Sequence, residues 1–252
     1  MNIRLFVFMA SAIAAAVLFG MPANAQDDGF YIAGDLGYHA PTQLASTVVG
    51  TDEKWEWNAH DNAAGFLRLG YGFDSNWRVE LEGGYRPGDL SSIRAGVFLP
   101  VPLDTAPGIR LGDVGGHVDS TTVMANVLYD VPLDLPVQPF IGGGVGLVHT
   151  DVAARGTYPF CDICEKTPIC FVCSIPLNAN GSSDRFGFQG VAGFSWPFAP
   201  QWALDATYRY VRANGVTWAT PDSSFVFGSD RFRADYSDNT VTLGIRYDFD
   251  GG

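Results

Sequence analysis

The chain has 252 residues, with 15 Lys and Arg against 27 Asp and Glu, for a formal net charge of −12. Gly accounts for 30 residues, aromatics for 13% and charged residues for only 17%, against about 25% charged in ordinary domains. This composition excludes a helical bundle and a disordered chain, and the acidic balance excludes electrostatic binding of nucleic acid, whose phosphates need a basic face.

In chain order, the first element is an address. Arg4 precedes the apolar run Leu5–Phe19, and Ala23-Asn24-Ala25 supplies the small–x–small pattern that signal peptidase accepts. Residues 1–25 read as a secretory signal peptide cleaved near Ala25. An N-terminal membrane anchor is the weaker reading, because the run is short for a spanning helix and Pro22 follows it. Beyond it, no stretch reaches the ~18 apolar residues of a transmembrane helix. A barrel escapes that scan, since alternation averages its apolar signal away.

Alternation at period two, bounded by turn residues, predicts eight strands. In Phe30–Tyr38, the residues Phe30, Ile32, Leu36 and Tyr38 oppose Asp35. In Asn62–Phe73, the residues Leu67, Leu69, Tyr71 and Phe73 oppose Arg68. In Trp77–Pro87, the residues Trp77, Val79, Leu81 and Tyr85 oppose Arg78, Glu80, Glu82 and Arg86. Ser120–Val131 sets Val123, Val127 and Tyr129 against Thr122, Asn126 and Asp130. Pro139–Val148 is weaker, with Gly142, Gly144 and Gly146 on the second face. Arg185–Trp196 sets Phe186, Phe188, Phe194 and Trp196 against Arg185 and Gln189. Trp202–Arg212 sets Trp202, Leu204, Tyr208 and Tyr210 against Asp205, Thr207 and Arg209. Asn239–Phe249 sets Val241, Leu243, Ile245, Tyr247 and Phe249 against Thr240, Thr242, Arg246 and Asp248.

Ten residues at ~3.3 Å each and a tilt near 40° rise roughly 25 Å, the height of an outer-membrane apolar band. Short connections (Asp74–Asn76, Pro132–Gln138, Pro197–Gln201) alternate strictly with long ones (His39–Asp61, Gly88–Asp119, His149–Asp184, Ala213–Asp238). Transmembrane barrels have short periplasmic turns and long extracellular loops. The expected fold is therefore all-β: an eight-stranded antiparallel up-and-down transmembrane β-barrel with four long extracellular loops, formed by residues 26–252. Aromatics at the ends of the apolar faces mark two lipid–water boundaries. A soluble lipocalin-like barrel, apolar inside, is the competing architecture.

With lipid outside, the lumen holds Asp35, Glu80, Glu82, Asp130, Asp205 and Asp248 with Arg68, Arg78, Arg86, Arg185, Arg209 and Arg246. Six acids against six Arg predict a near-neutral network of ion pairs, for which the Arg fork is well shaped. Gly70, Gly72, Gly84, Gly142, Gly144, Gly187, Gly193 and Gly244 make room for it. The network either fills the barrel as structure or gates a narrow pore.

Trp77-Arg78-Val79-Glu80-Leu81-Glu82-Gly83-Gly84-Tyr85-Arg86 resembles the third strand of the OmpA-like and opacity-protein-like outer-membrane barrels of Gram-negative bacteria. Phe30–Tyr38, Pro139–Gly146 and Trp202–Tyr210 resemble the same group. The resemblance implies the cell outer membrane, contact with its lipid, and insertion by the barrel-assembly machinery. It also implies roles such as envelope stabilisation, adhesion, surface display or, occasionally, small pores. Relatives often append a peptidoglycan-binding domain, and their last strand usually ends on an aromatic. Here the sequence given stops at Gly252, and Asp250-Gly251-Gly252 follows Phe249.

The third long connection holds all four cysteines, Cys161-x-x-Cys164 and Cys170-x-x-Cys173. An oxidising periplasm favours two disulfides of unassigned pairing, with a zinc site or redox-active thiols as the other readings. Apolar residues around them are either buried within that loop or offered to a partner. His39, His60, His117 and His149 lie in loops or at strand ends, and no spacing singles out a catalytic nucleophile. No catalytic residue, metal or cofactor is expected. The function expected is non-enzymatic: envelope integrity and surface interaction, with an extracellular ligand engaged through loops 149–184 and 88–119. A narrow porin-like channel for ions or small solutes is the alternative.

Overall fold

A computed structural model describes residues 29–50, 54–95, 109–133, 136–159, 174–220 and 231–249. The expected signal peptide, residues 1–25, and the four cysteines lie outside the described residues. Among the described residues twelve strands form: β1 (Gly29–Pro41), β2 (Leu44–Val48), β3 (Lys54–Ala59), β4 (Asn62–Gly72), β5 (Trp77–Arg86), β6 (Leu90–Ala95), β7 (Ile109–Arg110), β8 (Gly112–Asp130), β9 (Gln138–Pro159), β10 (Ser174–Ala199), β11 (Trp202–Ala219) and β12 (Arg231–Asp248).

Eight of them close a ring in the order β1-β4-β5-β8-β9-β10-β11-β12, with β12 pairing back to β1. Neighbours are antiparallel, and the seam runs in register from Tyr31–Asp248 to Pro41–Asp238. This is the eight-stranded ring that alternation predicted. Its tight periplasmic hairpin places Asn76 at φ 62°, the left-handed position that a three-residue turn requires. Phe73 N–H bonds to Trp77 O at 2.9 Å.

The faces settle what surrounds the ring. Leu36, Leu67 and Leu243 are 77%, 67% and 61% exposed, while Arg68 and Glu82 are 2% and 0%. Apolar residues point out and charges point in, which excludes a lipocalin-like interior at this height. Aromatics girdle the periplasmic end in contacting groups: Phe30–Tyr71–Phe73, Trp77–Tyr129, Trp196–Phe198 and Trp202–Tyr247–Phe249. At the opposite boundary Tyr38, Tyr85 and Tyr208 give hydroxyl hydrogen bonds to Asp61 O, Asp119 and Asn239. That is the one-end-apolar, one-end-wet placement that suits Tyr at a lipid–water interface.

The long connections differ from the expectation of loops, since most of their described residues are strand. The strand β9 alone has 22 residues, about 55 Å at ~3.3 Å per residue and ~40° tilt, twice an apolar band of ~25 Å. β8 to β12 run on above the membrane. Beside them, β2, β3 and β6 continue the lines of β1, β4 and β5 after short breaks at 42–43, 60–61 and 87–89. β12 pairs with β2, β2 with β3 and β3 with β6. The Asp89–His117 bridge and the Val118 N–H to Gly88 O bond return this run to β8. Near the top β7, which leads into β8, pairs with β6, so eight strands close below and eight strand lines above.

The upper tier is apolar inside. Leu44, Val48, Trp55, Trp57, Ile93, Val152, Tyr158, Leu177, Val216, Trp218, Phe232 and Ala234 belong to one buried cluster. Trp57 meets Trp218 edge-on at 5.3 Å, and Trp218 stacks on Phe232 at 5.9 Å. The Trp57 indole N–H donates to Ser46 Oγ at 2.8 Å. The outer wall here is polar, with Lys54, Arg94, Arg110, Arg155, Arg231 and Arg233 exposed. These segments alternate as well as the predicted strands do, with polarity reversed.

Truncating Trp57 to Ala empties the centre of this cluster and should cost about 3–5 kcal/mol. In reconstituted vesicles, protease should then cut the Trp57→Ala variant within the upper tier. The lower ring should keep the heat-modifiable gel migration of a closed barrel.

Candidate functional site

The lower lumen is the densest concentration of charge in the described chain. Arg68 on β4 is its hub. Its Nε and Nη2 donate to the two Asp35 oxygens at 2.8 and 2.9 Å, its Nη1 to Glu80 at 2.9 Å and its Nη2 also to Asp205 at 2.9 Å. Arg209 on β11 reaches across the barrel, its Nη2 to Asp35 at 2.6 Å and its Nε to Glu82 at 2.8 Å. Arg78 pairs with Asp130 at 2.7 Å. At the periplasmic mouth Arg246 lies 3.7 Å from Asp205 and 3.2 Å from Asp248. Gln189 ties Glu82 to Asn126 at 3.0 and 2.7 Å.

Aromatic rings complete the filling. The Phe66 ring lies between the guanidiniums of Arg209 and Arg86, at 4.4 and 4.7 Å. Arg78 lies over Phe140 and Tyr31, at 4.9 and 5.7 Å, and Arg246 over Tyr31 at 5.4 Å. Each desolvated contact of this kind contributes roughly 0.5–2 kcal/mol. The Tyr31 hydroxyl donates to Glu80 at 2.7 Å. Glycine is what admits these groups. A Cβ at Gly244 would collide with Asp35, at Gly70 with the Tyr31 ring and at Gly144 with Asn126.

The structure brings Asp35, Arg68, Arg78, Glu80, Glu82, Asp205, Arg209 and Arg246 into one connected network, with Asp130 and Asp248 at its solvent-facing end. Arg86 lies in the lumen one tier boundary higher. Arg185 departs from the expectation. It is half-buried where the register of β10, β11 and β12 shifts, donating to Gly215 O and Thr217 Oγ1. Tyr31, Phe66 and Phe140 were not foreseen inside. Their position in the alternation was the available signal, since each falls in step with the inward charges.

A second cluster sits where the tiers meet. His39 is buried, with Nδ1 2.8 Å from Asp238 Oδ2 and Nε2 2.6 Å from Pro87 O. On the outside, His149 lies between Asp184 and Asp151, at 2.7 and 3.3 Å. Both ring nitrogens of both residues face acceptors, so neither is free to activate a serine. Among the described residues no group of three or more His, Cys, Asp or Glu is arranged to hold a metal ion. The candidate disulfide residues Cys161, Cys164, Cys170 and Cys173 lie outside the described residues.

The family model described as outer membrane protein beta-barrel domain matches residues 11–249. An uncharacterized protein of Brucella suis biovar 1 is 25% identical over 253 residues, spanning 88% of this chain and 85% of its own. OprG from Pseudomonas aeruginosa shares the architecture at TM-score 0.54 and 15% identity, over 88% of this chain and 95% of that one. The outer membrane protease OmpT from Escherichia coli does so at 0.51 and 9% identity, over 91% and 99%. At such identities these two likenesses concern fold alone.

Removing one partner of a buried ion pair strands the other, at about 3–5 kcal/mol. Arg209→Met should destabilise the barrel by that amount, and Glu82→Gln by less. The double variant should cost less than the two singles added, as the coupling in a urea-unfolding double-mutant cycle will show.

Proposed function

The chain belongs to the family of outer membrane protein β-barrel domains, and from that premise we propose that this bacterial outer-membrane barrel is a non-enzymatic, non-conducting scaffold. Its proposed tasks are envelope integrity and the display of surfaces to extracellular ligands. The observation that carries this reading is that the interior is filled twice, by unlike chemistry. Arg68, Arg209 and their carboxylates occupy the membrane tier, and Trp55, Trp57, Trp218 and Phe232 occupy the tier above. An ion that crossed would have to part a multiply bonded guanidinium network. It would then have to enter a dry aromatic core, where an unpaired charge is costly.

The upper tier supplies the second half of the proposal. Segments 149–184 and 88–119, expected to meet an extracellular ligand, contribute described strands to this tier. Its described strands reach roughly 30 Å above the lipid. A closed, rigid support limits the ordering that a partner must impose on binding. Lipid surrounds the lower tier. Insertion by the barrel-assembly machinery and cleavage of residues 1–25 near Ala25 are parts of the same proposal.

Single-channel recording in planar bilayers tests it. Purified barrel that migrates as heat-modifiable, folded protein should give no steady conductance, and Arg68→Ala with Arg209→Ala should raise the frequency of openings. Steady, cation- or anion-selective steps from the unaltered protein would replace the scaffold with a narrow porin-like channel.

A further inference from the structure

The described cations of the upper outer wall are gathered, strand to strand, into one band. Across β12, β2 and β3, Arg233 faces Thr47 and Thr47 faces Lys54. One pleat away, across β3, β6 and β7, Glu56 faces Arg94 and Arg94 faces Arg110. Arg231 shares the outward face of β12 with Arg233, and on the far side of β8 Arg155 faces out from β9 opposite Gly115. At ~4.8 Å between strands, the stretch from β12 to β7 is roughly 19 Å wide.

Among the described residues, Glu56 and Asp235 are the acids on this face of β12, β2, β3, β6 and β7. Asp235 is already engaged, accepting from Arg212 at 3.1 Å and from Gly215 N–H at 3.0 Å. Asp52, Glu53 and Asp230 adjoin the band in sequence and lie outside the described residues. Lys54, Arg94, Arg110, Arg155 and Arg233 make no ion pair with a described residue. The Arg94–Arg110 pair is the sharper signal, because like charges directly opposite each other in a ladder work against the pairing of their strands. In the lumen Arg68, Arg78, Arg209 and Arg246 each reach a carboxylate. On the wall two guanidiniums stand side by side without one, and an anionic group shared between them would turn repulsion into attraction.

Height and shape select the anion. From lipid-facing Val241 to Arg233 along β12, ~3.3 Å per residue at ~40° tilt puts the band roughly 20 Å above the hydrocarbon edge. Ordinary headgroups end about 5–8 Å from that edge, so phosphates at the bilayer surface do not reach the band. The band lies on the side wall of the barrel and faces whatever stands on the neighbouring lipids. Between its cations the outward residues of β2, β3 and β6 are small or polar, with Ala45, Thr47, Asn58 and Ser92, while Trp55 and Trp57 point inward. This face has no ring for base stacking and no apolar anchor for a protein hot spot. Its hydroxyls, amides and cations suit a sugar chain that carries phosphate or carboxylate groups.

We infer that the basic band of the upper wall docks the anionic sugar headgroups of the glycolipids beside the barrel in the outer leaflet, with Arg94 and Arg110 gripping one phosphate or carboxylate between them. The inference rests on the reading of the upper tier as a binding surface and deepens it. It moves the contact from the loops to the wall and is independent of whether the lumen conducts. The band fastens the projecting tier to the sugar layer, as the lipid face fastens the lower tier to hydrocarbon.

The test uses the full folded barrel in phosphatidylcholine vesicles, alone, with lipopolysaccharide bearing its phosphorylated core, or with the lipid A portion only. Heat-modifiable migration reads the unfolding temperature. Core-bearing lipopolysaccharide should raise it, as a ligand of the folded state does, and the rise should shrink as salt is added. Lipid A alone should leave it unchanged. Arg94→Gln with Arg110→Gln should need roughly tenfold more lipopolysaccharide for the same rise. In phosphatidylcholine alone that variant should melt no lower than the unaltered protein, since a like-charge pair is gone. An equal rise with lipid A alone would assign the contact to phosphates near the bilayer, and an undiminished rise in the double variant would remove the band from it. Either result overturns the inference and leaves the scaffold reading, with its loop ligands, intact.

Discussion

A closed antiparallel sheet gives every strand one inner and one outer face, fixed residue by residue at period two. The surroundings of this sheet change part-way up, from hydrocarbon to water. Both faces must therefore exchange polarity at one height, without any change in the alternation itself. β12 shows the exchange within a single strand. Its inner face runs Phe232, Ala234, Tyr236 and then Asp238, Thr240, Thr242, while outward Arg231, Arg233, Asp235 give way to Val241, Leu243, Ile245. The described Arg and Lys obey the same rule. They lie in the lower lumen, at the junction or on the upper outer wall, and none lies on the lipid face.

This arrangement keeps each strand amphipathic along its whole length. A membrane strand with apolar residues on both faces would approach the continuous apolar run of a spanning helix and lose the alternation that marks a barrel strand. The lower lumen is therefore polar because its outside is not. Its charges are tolerable only because they are multiply bonded: Arg68 alone engages three carboxylates. Above the lipid the constraint reverses, and ordinary apolar packing returns to the interior at roughly 1.5–3 kcal/mol for each large side chain. Burial raises the Tyr236 phenol well above its usual range, so at the top of the junction a neutral polar group lies between the ionic and apolar regions.

How much of this was legible in the sequence follows from the same rule. The eight membrane strands and most lumen charges are legible because their apolar residues fall on one side of the alternation and their charges on the other. Segments 213–219 and 231–238 alternate equally well, yet they looked like loops, because their apolar residues share the side that carries Asp205, Arg209 and Thr240 lower down. Tyr31, Phe66 and Phe140 were hidden by a related assumption, that an aromatic ring belongs with the lipid-facing residues. Long-range pairing is harder still. Nothing local to His39 points to Asp238, since the contact spans 199 residues and exists only once the ring has closed.

That closure rests on one ribbon. β12 pairs with β1 below, with β2 above and with β11 along nearly its full length. It is also the last of the described strands. Until it docks, both storeys of the cylinder stand open along one vertical slit, with two rows of unmet backbone donors and acceptors. The docking of β12 therefore joins the seams of the submerged and the projecting halves along a single strand.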